Sequence, residues 1–130
     1  MLAPRLAAAA ALLPFLLTLA SAQPRAAPAA ASQTIDVASF SFTPKPIRLA
    51  AGKPVTLSFV NRSGSGHDFT AKEFFAASTI TAGAAPGGEI ELAGHERKSI
   101  TVVPRAGTYK AHCSHFLHAS FGMVDTIVVN

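Results

Sequence analysis

The sequence predicts an all-β domain, a Greek-key β-sandwich with one short helix. Three observations carry that expectation. Short runs alternate apolar and polar residues with a period of two. Gly- and Pro-bearing turns separate the runs at regular intervals, as in small sandwiches. Only one stretch, Ala71 to Ser78, reads as helix. The chain has 130 residues, enough for one domain with a real core and too few for two ordinary ones. Nine Phe, one Tyr and no Trp suit the interior of such a sandwich.

The N-terminus is read separately. Met1 to Ala22 (residues 1–22) resembles a secretory signal: Arg5 gives the positive start and Leu6 to Leu19 the apolar core. Ala20-Ser21-Ala22 follows as a small-residue cleavage site. The run falls short of the roughly 18–20 apolar residues that a spanning helix needs, so an uncleaved anchor is the weaker alternative. Residues 23–33, from Gln23 to Gln33, are rich in Ala and Pro and read as a flexible tether. The domain is expected over residues 34–130. Export places it in the periplasm or outside the cell, with no membrane attachment once the signal is cleaved.

From Thr34 the strands follow in order. Ile35, Val37, Phe40 and Phe42 alternate with polar neighbours, and Pro44 and Pro46 break the run at an edge or turn. Ile47 and Leu49 come next, then a turn at Gly52-Lys53-Pro54. Val55, Leu57 and Phe59 make a half-buried strand. A Gly/Ser loop, Asn61 to Gly66, delivers His67, Asp68 and Phe69. After the helix, Thr79 to Gly88 reads as irregular and Glu89 to Leu92 as a short strand. Ile100 and Val102 mark another strand, and Tyr109, Ala111 and Cys113 share one face of the next. The β-branched run Val124 to Val129 closes the domain.

Charge narrows the partners. The formal charge is +4, and loss of Arg5 with the signal leaves ten basic against seven acidic residues. No Lys/Arg cluster accompanies this mild excess, so nucleic acid is not an expected partner. No nucleophile-elbow serine and no catalytic acid pair stands out, so an enzyme is not expected.

The chemistry concentrates near the C-terminus. Cys113 is the single cysteine, and Met123 is the one methionine besides the initiator. His118 lies between them with four residues on either side. Alone, Cys113 would read as a buried, inert thiol. Together, a thiolate, an imidazole and a thioether on one loop form a soft, copper-selecting set, and His67 is the candidate for the fourth ligand. His112 and His115 bracket the cysteine. A second, weaker metal site using those two is the alternative to their being surface groups, and His95 reads as solvated.

On these residues the domain resembles the cupredoxins, the small blue-copper family that includes plastocyanin, azurin, pseudoazurin and amicyanin. Further shared features are Phe42-x-Pro44-x-x-Ile47, Ala51-Gly52, Asn61 and Gly66-His67-Asp68-Phe69. Gly107-Thr108-Tyr109 before the cysteine and Gly122-Met123 before the last strand complete the likeness. The resemblance implies one copper ion held by His67, Cys113, His118 and Met123, with Met123 as a weak axial donor. It favours His118 over His115, which would leave too short a span from the cysteine. It implies a monomer that shuttles single electrons and meets redox partners around His118, Phe116, Leu117 and Phe121. The alternative is a module for copper delivery or buffering, whose partner would be a copper donor or acceptor. Two departures stand out. Asp68 occupies a position often held by Asn, where it should keep the tie between ligand loops and lower the potential. Phe116-Leu117 replaces the frequent Pro-Gly before the loop histidine.

Overall fold

The computed structural model describes residues 22–26, 29–115 and 121–130. The expected signal, Ala22 apart, lies outside these residues, as do Phe116, Leu117 and His118. Ten strands and one α-helix are seen among the described residues. They are β1 (Ala31–Ala38), β2 (Ser41–Thr43), β3 (Ile47–Leu49), β4 (Val55–Asn61), β5 (His67–Thr70), α1 (Lys72–Ala77), β6 (Thr79–Ala82), β7 (Glu89–Leu92), β8 (Arg97–Val103), β9 (Gly107–His112) and β10 (Val124–Val129). None of the described helices is long and apolar enough to cross a membrane.

The strands form two five-stranded sheets, ordered β2-β1-β4-β8-β6 and β3-β10-β9-β5-β7. The expected all-β sandwich is therefore the observed fold. Pairing is antiparallel except for β1 with β4 and β3 with β10. Alternation sets the faces. Ile35, Val37, Leu57, Phe59, Ile100 and Val102 turn inward from the first sheet. Phe69, Leu92, Ala111, Ile127 and Val129 meet them from the second. Each of the fully buried Val, Leu, Ile and Phe side chains contributes about 1.5–3 kcal/mol. Phe69 lies at the centre, with ring centroids 4.8 Å from Phe59 and 5.2 Å from Phe42.

The helix forms where the sequence placed it but is too short to stand alone. Its N-cap, Ala71, offers no side-chain hydrogen bond, and isolated helices of this length are marginal at best. Burial of Phe74 and Phe75 holds it in place. Ser78 Oγ closes its end by donating to the Phe74 carbonyl at 2.7 Å. Gly88 packs beneath its first turn at φ +77°, and a Cβ there would collide with the Lys72 backbone.

Two boundaries differ from the sequence expectation. β1 begins at Ala31, where Ala31–Gln33 pair parallel with Val55–Leu57. The expected tether thus ends inside a ladder. Ladder hydrogen bonds use the backbone, so Ala, Ser and Gln can join without any apolar alternation. Thr79–Ala82, expected to be irregular, forms edge strand β6 with all four residues exposed. A strand with no buried face leaves no period-two signal.

Candidate metal centre

His67 opens β5, and the loop before it is held from within. Asn61 Nδ2 donates to the carbonyls of Ser65 (2.7 Å) and Ala93 (3.0 Å). Its Oδ1 accepts from the backbone N–H and the hydroxyl of Ser63 at 3.0 and 2.9 Å. A Cβ on Gly94 would run into the Gly64 backbone, so two loops touch through glycines. This network fixes where His67 enters the sheet, and His67 is 2% exposed.

Cys113 follows β9 directly and is fully buried. Its N–H donates to the Met123 carbonyl at 3.1 Å, which brings the two ends of the ligand loop together. Met123 is itself fully buried. The Cys113 sulfur accepts the Asp68 N–H at 3.5 Å and lies 4.0 Å from His67 Nδ1. Metal bonds to imidazole nitrogen and thiolate sulfur run about 2.0–2.3 Å, so one ion can span that gap with an open angle between the two donors. The donor chemistry fits a soft metal ion. Burial pushes the Cys113 thiol above its ordinary value, outweighing backbone N–H bonds from Asp68 and His115 that favour the thiolate. A bound cation would reverse that balance.

The tie expected of Asp68 is present. Its buried carboxylate accepts the Ser114 N–H on both oxygens, at 2.9 and 3.0 Å. It also accepts the Ser114 hydroxyl at 2.5 Å and the Thr70 hydroxyl at 2.7 Å. These are three donors, the Ser114 N–H being shared between both oxygens, so a carboxylate with four lone-pair sites keeps one in reserve. β5 and the segment after Cys113 are thereby locked together.

Three of the four expected ligand positions can be placed. His67 and Cys113 face each other, Met123 joins the cysteine through the backbone, and His118 lies outside the described residues. His112 and His115 stand in different settings. His112 stands on β9 opposite Thr70 and Val124. His115 instead stacks on His67, centroids 6.3 Å apart and planes 28° apart. Its Nε2 lies 2.9 Å from Glu91 Oε1. The sequence reading gave Glu91 no role. Its alternation in β7 was the available signal that it faces outward. Of the expected apolar rim, Phe121 is described; it is 64% exposed and packs edge-on against Phe40 at 5.6 Å.

The cupredoxin-like domain family matches the chain over residues 9–129. This chain is a cupredoxin-like protein. Solved structures agree on the fold at low sequence identity. Auracyanin B superposes with a TM-score of 0.58 at 20% identity, covering 78% of this chain and 89% of that one. Dithionite-reduced auracyanin from the photosynthetic bacterium Roseiflexus castenholzii gives 0.60 at 18%, covering 78% and 98%. The McoA multicopper oxidase of the hyperthermophile Aquifex aeolicus gives 0.62 at 17%, and this cupredoxin-like chain covers 31% of it. No curated protein is similar enough in sequence to serve as a relative.

Proposed function

We propose that this protein is an exported copper carrier that passes single electrons between partners, with His67, Cys113, His118 and Met123 as ligands to one copper ion. The observation that carries this reading is the approach of Cys113 Sγ to His67 Nδ1, 4.0 Å apart and both buried. When bound, copper would supply a one-electron Cu(I)/Cu(II) couple. The chain's own work is to hold the donors still and keep water out. Asn61 fixes the approach to His67, Asp68 fixes Ser114 beside the cysteine, and the sheet that holds both β5 and β9 anchors the two ligand-bearing strand ends. A scaffold that does not rearrange on reduction keeps the barrier to electron exchange low. The auracyanin neighbour solved in a dithionite-reduced form is consistent with such a role for this fold. The multicopper oxidase shows that the fold also occurs within an enzyme. Here four protein ligands would leave little room for a substrate.

We assign docking to the stretch of sequence that holds Phe116, Leu117, His118 and Phe121, whose apolar residues would admit a redox partner briefly. A second reading, copper delivery or buffering, is favoured by the additional donors at the mouth of the centre. The deciding measurement is the absorption spectrum of the copper-loaded protein. An intense band at roughly 600 nm, from thiolate-to-copper charge transfer, supports the carrier. A colourless protein that yields its copper to a chelator would overturn it in favour of delivery.

A further inference from the structure

The outer face of β5 and β7 carries a feature that the His67–Cys113 centre does not explain. Asp68 and Glu91 are direct cross-strand partners. Like charges in that relation are destabilising, and here Asp68 is fully buried. The nearby ammonium of Lys98 does not answer them: it donates to the Glu91 main-chain carbonyl at 2.6 Å and lies 3.7 Å from the Glu96 carboxylate. His115 reaches in between, its Nε2 2.9 Å from Glu91 Oε1 and 3.7 Å from Asp68 Oδ2. One donor atom from each of the three residues lies within 4.8 Å of the others.

We propose that His115, Glu91 and Asp68 form a second, weaker Cu(II) site at the mouth of the buried centre. One imidazole and two carboxylates are donors suited to Cu(II), which tops the divalent affinity order for such sets. A second feature of the backbone points the same way. A Cβ added at Gly66 would lie 3.3 Å from His115 Cε1 and 3.9 Å from Glu91 Oε1, so the glycine keeps open the space these side chains share. Access is built in, because the side chains of His115 and Glu91 are 33% and 52% exposed. Location gives the site a use. The His115 ring stacks on that of His67, so an ion held outside is one imidazole away from the inner centre. The site is a waiting position for incoming metal.

This inference takes its choice of metal from the copper reading, so the test reads the two centres separately. Full-length protein loaded with one equivalent of copper is titrated with Cu(II). Absorption follows the thiolate centre, and electron paramagnetic resonance follows a signal with nitrogen and oxygen donors. The expected result is a second bound equivalent with that signal. Glu91→Gln and His115→Gln should each weaken it at least about tenfold, since a lost ligand costs no less than a lost outer-shell partner. Gly66→Ala should weaken it without removing a donor. Glu91→Gln should leave the thiolate band unchanged. Saturation at one equivalent, or a second equivalent indifferent to both Glu91→Gln and His115→Gln, overturns the site. Absence of the thiolate band with the nitrogen–oxygen signal intact would sink the carrier and leave this site standing.

Discussion

Single residues decide most of the electrostatics. Asp68 accepts from three donor groups, the Ser114 N–H, the Ser114 hydroxyl and the Thr70 hydroxyl. Asn in its place would turn an NH2 group toward one of them. Asp68→Asn should therefore destabilise the metal-free protein by about 1.5–3 kcal/mol, the range for hydrogen bonds to a charged group. It should also raise the copper potential in voltammetry, and an unchanged potential would count against a charge effect. Asp125 gives a pH-dependent case. It is 4% exposed, and burial raises its pKa above the ordinary 3.8, against the pull of the Thr126 N–H and Lys45. A carboxyl raised on folding contributes stability below its unfolded value, and that contribution is lost as pH rises through the folded value. At neutral pH its charge is thus a burden. Asp125→Asn should melt at a higher temperature than wild type at pH 7, and the gain should vanish at pH 3.8 and below. Residue identity was legible here to different degrees. The uniqueness of Cys113 and Met123 made them visible in the chain. The Asp68–Glu91 pairing was not, because it depends on the register of two strands separated by a helix, an edge strand and a turn.

At the scale of elements, the helix is the clearest case of tertiary packing overriding local weakness. α1 has no side-chain N-cap and no basic residue in its last turn. Its place depends on Phe74, whose ring meets Phe75 at 5.2 Å and Tyr109 at 5.6 Å. Phe74→Ala should cost about 3–5 kcal/mol in denaturant unfolding. Circular dichroism should show β-structure persisting until the whole domain melts. Strands with one buried face were legible because burial imposes period two; β4 and β8 are the plainest examples. β6 was not, having no buried face, and the first residues of β1 were not, having no apolar side chains. β5 was hidden for the opposite reason. All four of its residues are buried, and a strand covered on both sides shows no alternation.

The molecule as a whole is organised so that one end of the sandwich gathers chemistry and the rest supplies rigidity. Copper loading should act on the entire fold, because an ion that binds only the native state stabilises it by mass action. At free metal one thousand times Kd this amounts to about 4.1 kcal/mol. For a domain near 100 residues that is roughly 15 °C or more in Tm. Calorimetry with and without copper checks this, and Cys113→Ala should abolish most of the shift. The fold class was readable at this scale because turn spacing and alternation repeat along the chain. The union of the two sheets around Phe69 was not, since its ring meets Phe42 and Phe59 across the sandwich, and alternation along one strand does not say which side chain of the other sheet it faces.

The sheet order has one more effect. The outermost strands are β2, β6, β3 and β7, of three, four, three and four residues. Longer members such as β1, β4 and β8 are flanked on both sides. Unpaired edges are where separate copies recruit one another into fibrils, and very short edges offer too little template. A crowded compartment could therefore hold many copies of this chain without their stacking edge to edge.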